Sequence, residues 1–139
     1  MNYLLDTCVI SELVAKQPNS QVIAWIDSVE EVRLHLSVIT LGEIRKGIEK
    51  LPDSERKTRL EIWLNEELPR RFADRIILID TAVMLQWGQF AGSLEKAGKP
   101  VSAMDSLIAA IALYHHLILV TRNEADFENT GVKIFNPWK

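Results

Sequence analysis

Short apolar or β-branched runs recur along the chain at 2–5, 32–38, 76–79, 117–121 and 133–135, each the length of a buried strand. Between them the apolar residues take up helical spacing. Ile10, Leu13 and Val14 share one face, closed by Pro18, and Val22, Trp25, Ile26 and Val29 share a second. Leu41, Ile44 and Ile48 make a third, ending at Leu51-Pro52. Leu60, Trp63, Leu64 and Leu68 make a fourth, stopped by Pro69. A fifth runs from Val83 through Trp87 and Phe90 to Leu94, ending near Gly98, and a sixth comprises Leu107, Ile108, Ala110, Ile111 and Leu113. Strands alternating with helices predict a parallel sheet covered on both faces, with right-handed crossovers. The helix pair between Val38 and Ile76 is a longer excursion than one crossover requires. No linker, repeat or low-complexity run appears, so 1–139 reads as a single three-layer α/β domain of about five strands in the order 3-2-1-4-5.

Composition narrows the reading without deciding it. At 139 residues, 47% hydrophobic and 25% charged, the chain has the make-up of one globular domain with a substantial core. A net charge of -3 argues against a bulk-basic nucleic-acid binder, so such a partner has to be argued from local patches. The lone Cys8 excludes an internal disulfide and reads as a small buried helix residue. The start of the chain lacks a basic region followed by a long apolar stretch, which argues against a signal peptide. The most apolar stretch, 107–120, is broken by Tyr114, His115 and His116 and falls short of the ~20 apolar residues of a membrane span. A cytoplasmic protein without membrane contact is expected.

Against that background three carboxylates stand out. Asp6 follows Tyr3-Leu4-Leu5, Glu43 lies in Thr40-Leu41-Gly42-Glu43, and Asp105 in Ser102-Ala103-Met104-Asp105. Each sits where an apolar run hands over to a helix. In a parallel sheet those handovers gather along the carboxyl edge of the strands, where open α/β folds bind their ligands. Taken singly, each acid has a capping explanation. Thr40-x-x-Glu43 and Ser102-x-x-Asp105 match the capping box, and Asp6 before Thr7 suits a strand-end turn or helix cap. Taken together, they form a hard-oxygen set at helix N-termini, whose mutual repulsion a divalent Mg²⁺ or Mn²⁺ would neutralise. Asp80 follows the strand at 76–79 and is explained by capping alone. In the order 3-2-1-4-5 its strand is two places from Asp6, roughly 10 Å away and too far to share a metal.

The pieces Tyr3-Leu4-Leu5-Asp6-Thr7-Cys8-Val9-Ile10-Ser11-Glu12, Ser37-Val38-Ile39-Thr40-Leu41-Gly42-Glu43-Ile44, Asp105-Ser106-Leu107-Ile108-Ala109-Ala110 and Val120-Thr121-Arg122-Asn123-Glu124-Ala125-Asp126-Phe127 come in an order that resembles the PIN domain. The likeness is specifically to VapC-type toxins of bacterial type II toxin–antitoxin systems, and the ending Phe135-Asn136-Pro137-Trp138 looks like the FitB-like branch. The resemblance implies a PIN-like fold and an Mg²⁺- or Mn²⁺-dependent ribonuclease with Asp6, Glu43 and Asp105 as its acidic site. Asp6 and Asp105 are the expected direct metal ligands, with Glu43 on a metal water or acting as base. The metal would polarise the phosphate and activate the attacking water. Thr7, Thr40 and Thr121 are expected to support the acids. Many members put Asp directly after Thr-Arg, where this chain has Asn123, so either Asp126 takes over the fourth position or the Asn123 amide serves there.

The resemblance further implies an RNA substrate, a cognate VapB-like antitoxin, a homodimer, and DNA contact only through the antitoxin. Trp63 or Trp87 is a plausible dimer anchor, while Trp25, Trp63 and Trp87 all lie at helical core spacing. An arginine from the antitoxin entering the acidic cleft would suit the carboxylates best. Arg45 and Lys46, with Lys50, Arg70 and Arg71, are candidates for RNA phosphate contacts. His35, His115 and His116 do not have zinc-site spacing. Two other classes compete: a catalytically inactive PIN-like assembly module, and a receiver-type phosphoacceptor domain. The receiver needs paired acids after the first strand and a late lysine, whereas here Thr7 follows Asp6 and Thr121-Arg122 supplies no lysine.

Overall fold

A computed structural model describes all 139 residues. Its five strands are β1 (Tyr3–Leu5), β2 (Leu34–Ser37), β3 (Ile76–Ile77), β4 (Ile118–Val120) and β5 (Ile134–Phe135). All neighbours pair in parallel, in the order β3-β2-β1-β4-β5, which is the order expected from the sequence. The alternation of side chains along each strand splits the core in two. Leu5, Leu34, Leu36 and Val120 pack on one face with helices α1 (Thr7–Glu12), α2 (Ser20–Ser28) and α3 (Val38–Glu49), and with the excursion formed by α4 (Glu55–Ile62) and α5 (Leu68–Phe72). Leu4 and Leu119 face the other way, against α6 (Thr81–Lys96) and α7 (Ala103–Tyr114). No helix is long and apolar enough to cross a membrane.

Two local expectations are corrected. Pro69 does not stop the fourth helix: the chain passes through a π-helical turn, Trp63–Glu67, and continues as α5 to Phe72. A proline lacks an N–H and crowds the carbonyl four residues back. The wider turn, in which the Leu68 N–H donates to the Trp63 carbonyl, shifts the carbonyls upstream of the ring. Thr40-x-x-Glu43 is not a capping box either. Ser37, the last residue of β2, caps α3 by accepting from the Thr40 N–H, so the helix starts at Val38 and Thr40 lies buried inside it. Elsewhere the edges of the elements move by a few residues: α1 closes at Glu12, before Leu13 and Val14, and β3 spans Ile76–Ile77 alone.

Asp80 caps α6 by accepting from the Val83 N–H at 2.9 Å, as expected of a residue on the edge strand's exit. The amino edge of the sheet is closed by ion pairs instead. Glu31, just before β2, is gripped by Arg71 and Arg75 from the end of α5 and the turn after it, and both guanidiniums lie over the Phe72 ring. Arg71, with Arg70 beside it, therefore sits at the edge opposite the end of β1 that carries Asp6.

Candidate active site

The site is built around Asp6. Its backbone N–H continues the β1 ladder to the Val120 carbonyl, and its side chain then caps α1 by accepting from the Thr7 N–H at 2.8 Å. The same carboxylate accepts a second bond, 2.8 Å from the fully buried Thr121 hydroxyl at the end of β4. That hydroxyl in turn accepts from the Asn123 N–H, which fixes where its proton points. Asp6 is only 5% exposed. Burial pushes its carboxyl above the usual carboxylate range; the Thr121 and Thr7 bonds pull it back, and the charges of Glu43 and Asp105 push it up again. Cys8, 4.0 Å from Asp6 on the first turn of α1, is pushed up chiefly by burial and is thus no reactive thiolate.

Glu43 joins through threonine. On α3 it accepts from the Thr7 hydroxyl, which also lies 3.2 Å from the Thr40 hydroxyl. The three threonines singled out from the sequence thus all touch the acid network, two of them directly on a carboxylate. Asp105 occupies the first turn of α7, where Ser102 caps the helix and donates its hydroxyl to Asp105 Oδ2 at 2.9 Å. Asp105 also lines an open cleft of about 490 Å³ shared with Ser102, Asp126 and Glu128. Asp126 is exposed in the helical turn Glu124–Phe127 and faces this cleft, whereas Asn123 contributes backbone bonds to the turn. Three acids from three elements are thus brought near enough for Asp6 to feel both other charges.

No three His, Cys, Asp or Glu side chains stand close enough to form a ready-made metal cage. The donor set nevertheless fits a hard divalent ion. It consists of carboxylate oxygens, the charges acting on buried Asp6 are both negative, and Asp6 Oδ1 retains a lone pair beyond the one bond it accepts, from the Thr7 N–H. An ion that keeps several waters can span carboxylates that do not touch.

Sequence reasoning missed two supports. The Trp87 indole N–H, on α6, donates to the Ser106 hydroxyl at 2.9 Å, tying down the residue after Asp105. At the chain's end Asn136 donates to Glu124 at 2.9 Å, Lys139 pairs with the same carboxylate, and Arg122 lies over the Trp138 ring. The Phe135-Asn136-Pro137-Trp138 ending thereby braces the loop that carries Thr121 to Asp6. The polar and aromatic density of that ending was the available signal, while its contact with Arg122 shows only in the fold.

Residues 3–133 match the family profile described as the PIN domain. The toxin FitB of Neisseria gonorrhoeae is 38% identical over 135 residues, covering 97% of each chain. The VapC ribonuclease Y4jK of Sinorhizobium fredii is 35% identical over 98% of this chain and 97% of its own length. Among solved structures, the FitAB complex bound to an IR36 DNA fragment superposes with a TM-score of 0.90 at 36% identity, covering 99% of this chain and 96% of the other.

Proposed function

The chain belongs to the PIN-domain family, among the VapC/FitB-type toxins of type II toxin–antitoxin systems, and on that premise we propose that 1–139 is a single nuclease domain that hydrolyses RNA in the cytoplasm with Mg²⁺ or Mn²⁺. The family is generally ribonucleolytic, and the relative from Sinorhizobium fredii is named a ribonuclease. The observation that carries the reading is the buried Asp6 carboxylate, which feels the charges of Glu43 and Asp105 and has no cation to pair it.

Asp6 and Asp105 are the residues that would hold the metal. When bound, it would supply the positive charge that allows a phosphodiester to approach clustered carboxylates. The chain's own groups do the rest. Thr7 and Thr121 orient Asp6, and their bonds pull its carboxyl part of the way back from the rise that burial causes. Thr7 occupies one Glu43 oxygen, leaving the other free to take the proton from the water that attacks phosphorus. Asp126, across the cleft from Asp105, fills the fourth acidic position, and Asn123 holds the turn.

A cognate antitoxin would restrain the enzyme, and DNA would be contacted through that partner alone, in keeping with the DNA-bound FitAB complex. An arginine entering the cleft would pair with the acids and exclude the cation. The toxin would form a homodimer through apolar helix faces. Of the two tryptophans considered as anchors, Trp87 has its N–H committed inside the chain, while Trp63 lines an open pocket with Val14, Leu60 and Ile62. Cleavage of cellular RNA by the purified chain, with and without chelator and with and without antitoxin, tests the reading. Metal-dependent cleavage, abolished by antitoxin and restored when the antitoxin's cleft arginine is changed to alanine, is the expected result. RNA left intact in Mg²⁺ and Mn²⁺ would overturn it.

A further inference from the structure

Helix α3 sorts its cations by face. Arg45 is tied to Glu49 and Glu61, on the side that packs toward α4. Lys46 and Lys50 fall three and seven positions after Glu43, on the same helical face as that acid, and neither forms an ion pair or a hydrogen bond. They wall a groove of about 490 Å³ that begins at Glu43 and whose floor is apolar, made of Val38, Ile39 and the 52%-exposed Met104, the residue before Asp105.

Two glycines open the same groove. Gly42 and Gly47 lie inside α3, where glycine costs about 1 kcal/mol relative to alanine, yet a Cβ at either would meet nothing within the protein. No internal contact accounts for their lack of a side chain, whereas close approach of a ligand to the helix backbone would.

We infer that this groove is the track that feeds single-stranded RNA to the acidic site, with Lys46 and Lys50 on successive phosphates and the Ile39–Met104 floor under an unstacked base. The inference rests on the nuclease reading for the destination of the strand, and on the groove alone for its path. Lys46 and Lys50, without ion pairs, stand one helical turn apart against a groove that Glu43 also lines. The apolar floor selects a single strand, because a duplex keeps its base faces stacked and offers phosphates, 2′-hydroxyls and base edges instead. Arg45, bound in its two ion pairs, takes no part.

The test is fluorescence anisotropy with a short mixed-sequence single-stranded RNA and its duplex, in chelator, across a salt series. Lys46→Ala/Lys50→Ala should lower the salt slope for the single strand by about 1.4, the value for two lost phosphate contacts, while Arg70→Ala leaves it unchanged. Gly47→Leu should melt higher than wild type and bind the single strand more weakly, a split that a merely structural role for Gly47 would not produce. In metal, the double variant should raise KM and spare kcat. RNA cut by the wild type with a salt slope unaltered in the double variant would overturn the track and leave the nuclease reading standing. RNA bound with the lysine-dependent slope but never cut would overturn the nuclease reading and keep the track. Equal preference for the duplex would overturn the single-strand assignment.

Discussion

Glu31 and Asp6 lie at opposite edges of the same parallel sheet, and both are held by hydrogen bonds. Glu31, at the amino edge, accepts two bonds from Arg71 at 3.1 Å and one from Arg75 at 2.9 Å, and these guanidiniums hold it below the ordinary glutamate range, Arg71 foremost. Asp6, at the carboxyl edge, is far more buried, receives only neutral donors, from Thr7, Thr121 and the Cys8 thiol, and feels two further acidic charges. One acid is paired with cations by the fold and the other is given none. The difference separates a brace from a site: a buried acid held by neutral donors beside like charges is positioned for a cation that the fold itself does not provide.

The largest expected effect breaks the comparison at its functional end. Asp6→Asn, or Asp105→Asn, should cost more than about 100-fold in RNA cleavage, beyond what loss of a supporting partner of a metal ligand usually costs. Glu31→Gln should leave cleavage at the wild-type rate. Asparagine remains a good helix cap, so Asp6→Asn should keep its fold by circular dichroism. Wild-type cleavage by either aspartate variant would remove the assigned site.

Thr121→Val comes next. The shape is nearly kept, but Asp6 loses its buried donor, and a drop of about 10- to 100-fold in cleavage is expected. An unchanged rate would mean that Asp6 needs no orientation from β4. A smaller, graded effect is expected across the cleft. Asp126→Ala should lower activity by up to about tenfold, and more than Asn123→Ala. The reverse order would make the Asn123 amide the functional group.

The smallest effects are on stability, and their signs differ. Glu31's depressed pKa contributes stability that is present above its ordinary value and is lost as pH falls through the depressed one. Glu31→Gln should therefore cost about 1 kcal/mol at neutral pH, as an exposed pair warrants, with the gap closing in strong acid. Asp6's raised pKa works the other way: its contribution is present in acid and lost as pH rises through the raised value. Metal-free Asp6→Asn should gain on the wild type as pH rises from acid to neutral. Urea unfolding at the two pH values reads both differences, and equal pH dependence in the two variants would contradict the contrast.

Much of this was legible in the sequence, because parallel strands and helices have distinct periods and their handovers are fixed to one edge. The strand order followed from that rule, and so did the place of Asp6 between β1 and α1. Glu43, however, lies inside α3, and Asp105 heads a helix that follows α6 and not a strand. What escaped notice depended on contacts between distant residues. Ser37, not Thr40, caps α3, and both fit the capping preference, so only the point where β2 ends decides between them. Pro69 reads as a breaker unless the π turn before it is known. Arg70 and Arg71 looked like cleft cations until α5 proved to run along the amino edge, and Arg45 looked free until α4 brought Glu61 beside it. By contrast, the Glu43–Lys46–Lys50 spacing was there to be read as one helical face.

The central claim is that the acids left unpaired at the carboxyl edge bind a divalent cation, and Mn²⁺ titration of the antitoxin-free protein by calorimetry tests it most directly. Saturable binding in the wild type, lost in Asp6→Asn and retained in Glu31→Gln, is the predicted result. Absence of binding, or binding that survives Asp6→Asn unchanged, would contradict it.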